Sequence, residues 1–545
     1  MLKRYLTLIL IYILLLLATT RVGVAGKIAL PTAQQRAWQD LHIGMFIHFA
    51  PNTWQDREYD DLSTPPSEIN PEKLDTEQWA DTAVKMRAKY IVFVAKHTGG
   101  FCMWQTETTD YGVKSTPWRG GKGDVMADLA ASCKKRGLGL GIYLSPQDLK
   151  LGAGLSGGCK TAEEQKTYNT IYRQQLTELL TKYGPIVEIW FDGNLVVPVA
   201  DILETHAPQA AIFQGSQATI RWVGNEDGWA PYPAWNAVDN REAQTGVATS
   251  VHGDPDGDTW LPSEVDVSIR RPNWFWSTSN QNRLLALDDL LEIFYRSVGR
   301  GTQLLINLTP DRTGLIPEVD VARAQEFGDE IRKRFGKALA ETRGTGYRIE
   351  LKLSKLSQID HAILMEDTSL GERVREYEFE GLRQGKWIVL AKGTAIGQIR
   401  IQPFSPVEVE AVRLRTTRSS NVPILRRMAV FATNAPPPKK WEAQPKIWSQ
   451  NQVGNWERDH FEVDISEKIK AAGAYQLRFV PNGGALIMVL NLETLVGGVS
   501  QPQLLREVMG RKDLFDLTMP SNEQSVTIRG QIRGANSGTV LLQRK

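Results

Sequence analysis

The succession LGLGIYL (Leu138–Leu144), a long amphipathic run (Ala162–Tyr183) and IVEIWF (Ile186–Phe191) decides the fold. Two short apolar runs flank a segment of helical periodicity, and a strand, a helix and a second strand in that order predict a parallel pair. The same grammar continues outward. Upstream lie GMFIHF (Gly44–Phe49), a helical pattern at Thr76–Ala88, YIVFVA (Tyr90–Ala95) and another helical pattern at Asp124–Gly137. Downstream come Ala210–Phe213, Leu285–Arg300 and QLLINL (Gln303–Leu308). Gly137, Gly184 and Gly301 follow helical patterns, where a glycine ends a helix. Alternation of this kind predicts an α/β domain with parallel strands, closed as a (β/α)8-like barrel. No GxGxxG or GxxxxGK[ST] opens a helix, which disfavours a nucleotide-binding sheet. Residues 215–262 are loop-rich and predict an irregular stretch of the barrel.

Beyond residue 345 the pattern changes to short alternating strands, among them Tyr347–Leu353, Arg375–Glu380 and Val409–Thr416, which predict a β-sandwich. The run APPPKK (Ala435–Lys440) reads as a stiff linker, followed by a third, all-β segment of unassigned role. At the other end, Lys3 and Arg4 precede the apolar run Leu6–Leu17 and the small-residue pattern Gly23-Val24-Ala25, the layout of a cleaved secretory signal. The expected division is therefore 1–25 signal peptide, 26–345 barrel, 346–434 β-sandwich and 441–545 all-β domain. Such a signal predicts a secreted or periplasmic protein with no membrane anchor once it is cleaved. Its removal takes away Lys3, Arg4 and Arg21 and no acid, which lowers the formal charge from +2 to −1. A chain of 545 residues so close to neutrality lacks the basic excess of a nucleic-acid binder. Three cysteines cannot build a disulfide framework, and buried thiols are expected for Cys102 and Cys133.

In a parallel barrel the reacting groups sit at the C-terminal strand ends. The candidate strands there deliver His48 with Glu58 in the following loop, then His97, then Tyr143, then Trp190 with Asp192 and Gly193. Asp192 directly follows an aromatic-flanked strand and is placed as a nucleophile, although Asp-Gly is also common in turns. Glu226, in RWVGNE (Arg221–Glu226), is a candidate acid/base, and Glu264, in SEVDVS (Ser263–Ser268), is its rival. The seven histidines form neither HxH nor HExxH, so no metal site is expected. Twelve of the sixteen tryptophans precede residue 345, and Trp104 and Trp229 join the candidate binding residues because sugar C–H faces pack on aromatic rings.

These segments together resemble the α-L-fucosidases of glycoside hydrolase family 29 over nearly all of residues 36–430. The resemblance rests on GMFIHF, DRE (Asp56–Glu58), AKH (Ala95–His97) with GFCMW (Gly100–Trp104), YLSP (Tyr143–Pro146), WFDG (Trp190–Gly193), DVSIR (Asp266–Arg270) and LLINL (Leu304–Leu308). It implies a retaining, exo-acting enzyme on terminal α-linked L-fucose, with no cofactor and a fucosylated glycan as its partner. It further implies Asp192 as nucleophile and Glu226 as the acid/base of the branch that cleaves α-1,3 and α-1,4 fucose. His48, Glu58, His97, Tyr143 and Trp190 match positions lining the family's fucose pocket. This chain departs from the pattern KHHDGF in reading Lys96-His97-Thr98-Gly99-Gly100-Phe101, and its loop after Gly193 is short. An inactive sugar-binding scaffold and a glycosidase for another sugar are the alternatives.

Overall fold

The computed structural model describes residues 28–239, 252–435 and most of 452–544. The signal-peptide and linker expectations lie outside the described residues. From Ala33 onward the chain alternates helices and strands. In order they are α1 (Ala33–Gln39), β1 (Ile43–Ile47), α2 (Asn52–Gln55), α3 (Thr76–Lys85), β2 (Tyr90–Lys96), α4 (Val125–Arg136) and β3 (Gly139–Leu144). Then follow α5 (Ala162–Lys182), β4 (Ile186–Trp190), α6 (Ala200–His206), β5 (Ala211–Phe213) and β6 (Arg221–Trp222). A short antiparallel ribbon, β7 (Ala237–Val238) with β8 (Thr259–Trp260), precedes β9 (Ser263–Ser268), α7 (Leu287–Arg296), β10 (Gln303–Asn307) and α8 (Glu318–Phe335).

Eight parallel strands pair in the order β5-β4-β3-β2-β1-β10-β9-β6, which is chain order around a ring once the ribbon is set aside. The ring is almost closed: β5 and β6 meet only through the parallel bridge Phe213↔Ile220. The expected barrel is therefore present, and its irregular part is the expected one. No helix stands between β5 and β6. Helix boundaries follow their capping residues. Asp75 and Asp124 accept hydrogen bonds from the first turns of α3 and α4, Thr161 and Glu164 form a capping box on α5, and left-handed Gly137 ends α4.

Inside the ring Phe46, Tyr90, Val92, Val94, Tyr143, Trp190, Phe213 and Leu305 form one apolar cluster, with Trp38 of α1 beneath it. Gly44 makes room for this filling, because a Cβ there would come within 2.4 Å of the Tyr90 ring. A larger cluster between the strands and the helices forms the outer core, and it contains the buried thiols Cys102 and Cys133.

The second domain is β11 (Ala340–Thr345), β12 (Arg348–Glu366), β13 (Val374–Arg383), β14 (Lys386–Gly393), β15 (Arg400–Ser419) and β16 (Ile424–Phe431). They form the sheet-rich domain expected after the barrel, with all six strands joined in one antiparallel hydrogen-bonding order. The long strands β12 and β15 run through it, and their register shifts twice, between Lys352 and Ser357 and between Ile359 and His361. The shifts let Ile349, Leu351, Ile359 and Leu364 of one strand feed a single core. Ala340–Thr345 pairs with β16, so this domain starts before the expected boundary at 346. The described strands beyond 451 form a nine-stranded antiparallel sheet, in keeping with the all-β expectation.

The sheet domain grips the long loop between β6 and β9. Glu372 accepts from the main-chain N–H and the side-chain amide of Asn236, at 2.9 and 2.7 Å. The Arg400 guanidinium lies 3.8 Å from the Tyr232 ring centre, and Tyr232 donates to the Ala395 carbonyl. Arg375 stacks on Trp235 at 4.9 Å.

Candidate active site

The β2, β3, β4 and β5 ends bring four rings into one stacked wall. His97 stacks on Tyr143 (centroids 5.8 Å apart), Tyr143 on Trp190 (5.8 Å), and Trp190 on Phe213 (3.8 Å). Above this wall the Tyr143 hydroxyl donates to Asp192 Oδ2 at 2.9 Å. Asp192 is accessible to solvent, although its surroundings desolvate its carboxyl. Burial raises its pKa, and the Tyr143 hydrogen bond, which favours the carboxylate, opposes that rise.

His48 follows β1 and is buried against His97, Trp274 and Phe275. Asn307 Oδ1 takes both the His48 main-chain N–H and Nδ1, at 3.2 and 2.9 Å. That partner assigns the proton to Nδ1 and leaves Nε2 as an acceptor suited to a sugar hydroxyl. Burial and the neighbouring His97 hold His48 well below its ordinary pKa, and burial lowers His97 to about 3. Both rings are thus neutral. Glu58 comes from the loop after α2 and is tied by the Trp274 N–H and the Asn273 amide. Its pKa is raised by burial and, more weakly, by the Glu226 charge.

Glu226 lies in the loop after β6, where Arg271 Nη1 pairs with Oε2 at 3.2 Å. Burial raises its pKa; Arg271 opposes that, while the charges of Asp192 and Asp227 add to it. Beneath it the carboxyl of Asp266, on β9, accepts from Trp222 Nε1 at 2.6 Å and is pushed well above the carboxylate range by burial and by Glu226. Glu226 and Asp192 therefore sit within electrostatic reach of each other at one mouth.

Glu264 is not at that mouth. It is fully buried under the floor, where its carboxyl accepts from Trp190 Nε1 (2.8 Å) and the Tyr90 hydroxyl (3.2 Å). Burial and the adjacent Glu188 charge drive its pKa well above the usual range, so it holds a proton. Glu188 in turn accepts from Trp38 Nε1 at 2.5 Å. Glu264 braces Trp190 and cannot serve as the rival acid/base. Trp104 is likewise misplaced by the sequence reading. It is fully buried in the outer core with its indole N–H donated to Glu178, and a ring with no exposure cannot meet a sugar. The Trp229 ring lies 5.0 Å from the Arg296 guanidinium on α7, and the Trp229 carbonyl accepts from the Asn225 amide beside Glu226.

Sequence reasoning passed over Asn307, Arg271 and Asp266 as individual site residues, and took Trp274 only as one of many tryptophans near the mouth. Asn307 ends β10 just as His48 follows β1, so the strand-end rule applied to QLLINL would have found it. Trp274 and Arg271 sit in a loop with no such marker. Among the described residues no group of three or more His, Cys, Asp or Glu could hold a metal ion, and no helix is long and apolar enough to cross a membrane.

A family model for alpha-L-fucosidase matches residues 52–334, more than half of the chain. The chain belongs to the α-L-fucosidase family. It is 32% identical over 454 residues to alpha-L-fucosidase 1 of Arabidopsis thaliana, covering 74% of this chain and 87% of the plant protein. A Bacteroides thetaiotaomicron structure solved as a candidate α-L-fucosidase superposes with a TM-score of 0.70 at 32% identity, over 74% of this fucosidase and 99% of the other chain. A Ruminococcus gnavus fucosidase of glycoside hydrolase family 29, solved in complex with fucose, gives 0.66 at 26% identity over 76% and 97% of the two chains. The molecule is thus a glycoside hydrolase on the fucosidase barrel.

Proposed function

We propose that this fucosidase removes terminal α-L-fucose from glycans with retention of configuration, through a covalent fucosyl-enzyme on Asp192. The observation that carries the reading is the pair of carboxyls at one mouth, both desolvated by burial, with the Tyr143 hydrogen bond favouring the carboxylate form of Asp192. Asp192 attacks the anomeric carbon as the glycosidic bond breaks, and Glu226 gives its proton to the departing oxygen. Glu226 then takes a proton from water, whose oxygen displaces Asp192 and releases fucose. Neutral His48 and His97, with Glu58, meet the fucose hydroxyls, and the stacked wall ending in Trp190 packs on its apolar face. The reaction needs no metal or organic cofactor in this scheme.

The RWVGNE context of Glu226 favours α-1,3 and α-1,4 linkages, and the N-terminal apolar run favours export to the periplasm or the medium. Hydrolysis of α-1,2-, α-1,3-, α-1,4- and α-1,6-fucosylated glycans, followed by NMR, tests the scheme. Early appearance of α-L-fucose from an α-1,3 or α-1,4 substrate is expected. The β-anomer as first product would overturn retention. Mass analysis of exported protein checks the cleavage site after Ala25.

A further inference from the structure

Two acids and one cation meet beside the mouth, and the chemistry above uses only one of the three. Arg271, in the loop after β9, holds Glu226 Oε2 with Nη1 at 3.2 Å and Asp227 Oδ1 with Nη2 at 3.3 Å. Nη1 also donates to the Pro272 carbonyl at 3.2 Å, and the buried Nε has no hydrogen-bond partner among the described residues. The guanidinium is thus forked across two carboxyls that are neighbours in the chain.

Both sides of the fork are held from outside it. The Arg271 N–H donates to the Ser268 carbonyl at 3.1 Å. Its neighbour Arg270 is fully buried, pairs with Asp320 of α8 and donates to the Asn280 and Gln281 carbonyls, each at 2.7 Å. On the opposite side Asn225 Oδ1 takes the Asp227 N–H at 3.0 Å. Gly228 closes that turn at φ +81° against Ile293 of α7, which a Cβ there would meet at 2.9 Å. The other groups facing Glu226 are Trp274 from the loop of Arg271, Asp192 from the end of β4, Glu58 and Tyr59 from the loop after α2, and Asp266 of β9. The carboxyls among them are acids like Glu226, and Arg271 is the cation set against them.

A guanidinium whose side chain is only 25% exposed needs a counter-charge whatever the state of its neighbours. With Glu226 alone beside it, protonation of Glu226 would strand that charge. We propose that Arg271 and Asp227 act as a charge-balancing pair that lets Glu226 hold a proton in the first half of the reaction and lose it in the second. This rests on the fucosidase reading and deepens it. When Glu226 gives its proton to the departing oxygen, the new carboxylate pairs with Arg271 Nη1. When Glu226 takes a proton from water, Asp227 keeps the guanidinium paired through Nη2. Arg271 and Asp227 are positioning residues, acting on the sugar only through Glu226.

The pair is tested by kcat/KM against pH on a fucosylated trisaccharide that the wild-type enzyme cleaves, where the basic limb reports loss of the Glu226 proton. Asp227→Asn leaves Arg271 to Glu226 alone, which favours the carboxylate, so the limb should move down by about half a pH unit. Arg271→Gln removes the cation and should move the limb up by a similar amount. The double variant is balanced again and should return toward the wild-type limb. Shifts in one direction for both single variants, or a limb unmoved in either, would overturn the pair while leaving Glu226 as the acid. Full trisaccharide activity in Glu226→Ala would instead overturn the catalytic reading, and the pair with it.

Discussion

The two halves of the barrel are built by different means. From β1 to β4 each strand is followed by at least one helix, and the strand ends carry His48, His97, Tyr143 and Asp192 on backbone fixed by regular packing. From β5 to β9 no helix intervenes among the described residues. There the chain is held by individual side chains. Arg221 donates to the Leu261 and Trp235 carbonyls, Gln35 to the Thr219 and Trp260 carbonyls, and Trp222 to Asp266. On the proposed scheme the regular half positions Asp192 and the fucose ligands, and the irregular half supplies Glu226 and the buried acids near it. The groups proposed to recognise one sugar sit on rigid elements, whereas the proposed proton donor sits on a loop whose charge environment is set residue by residue.

Substitutions in the two halves should therefore differ in kind. The largest effect is expected for Asp192→Ala, a loss of kcat of about 10^4-fold or more, with azide partly restoring turnover by forming a fucosyl azide. Full activity in that variant would remove the nucleophile from the regular half. Glu226→Ala should lose roughly 10^2- to 10^4-fold on an unactivated glycan and much less on an aryl fucoside with a good leaving group. Similar losses on both would place the acid elsewhere. Tyr143→Phe keeps the stacked wall and deletes one hydrogen bond to a carboxylate, so kcat should fall about tenfold to a hundredfold. With that bond gone, burial acts on Asp192 unopposed by Tyr143, and the acidic limb of the pH–rate profile should move to higher pH.

The smallest effect is a matter of stability. Burial raises Glu188 to about 7 and lifts Glu264 well above the ordinary carboxyl range, so the folded chain keeps a proton that the unfolded chain has already lost. The native state then binds more protons, and stability must fall as pH rises from the ordinary carboxyl range through about 7. Glu264→Gln removes one of these two titrations while keeping an acceptor for Trp190. Its melting temperature should decline less steeply than that of wild type over that range. An identical slope would show that Glu264 is not a titrating element.

How far the sequence could be read follows the same division. Six of the eight ring strands are apolar runs with turn signals, and their ends expose the polar residues that matter. β6 has only two residues, too few for any period. β9 alternates Glu264 and Asp266 with Val265 and Val267, all of them buried. A strand with acids inside a barrel looks like a half-exposed strand or a loop. It is stable because indole and phenol groups from other strands satisfy the carboxyls, and those partners lie far away in sequence. Trp104 failed for the converse reason. Proximity to a strand end does not say whether a ring turns toward the mouth or into the helix layer, and only the Glu178 contact distinguishes the two. In the second domain, strand alternation was legible, but the length of β12, the strands β11 and β16 and the register shifts that join all six were not.

The grip of Glu372, Arg375 and Arg400 on Asn236, Trp235 and Tyr232 carries a consequence for engineering. The segment so held is continuous with the one bearing Glu226, so the boundary between domains does not coincide with a boundary of function. A barrel cut at Phe335 would keep Asp192 and the strand-end residues but lose the outside anchor of the segment that bears Glu226. In recombination or fusion experiments the smallest transferable piece of this enzyme is barrel and sheet together.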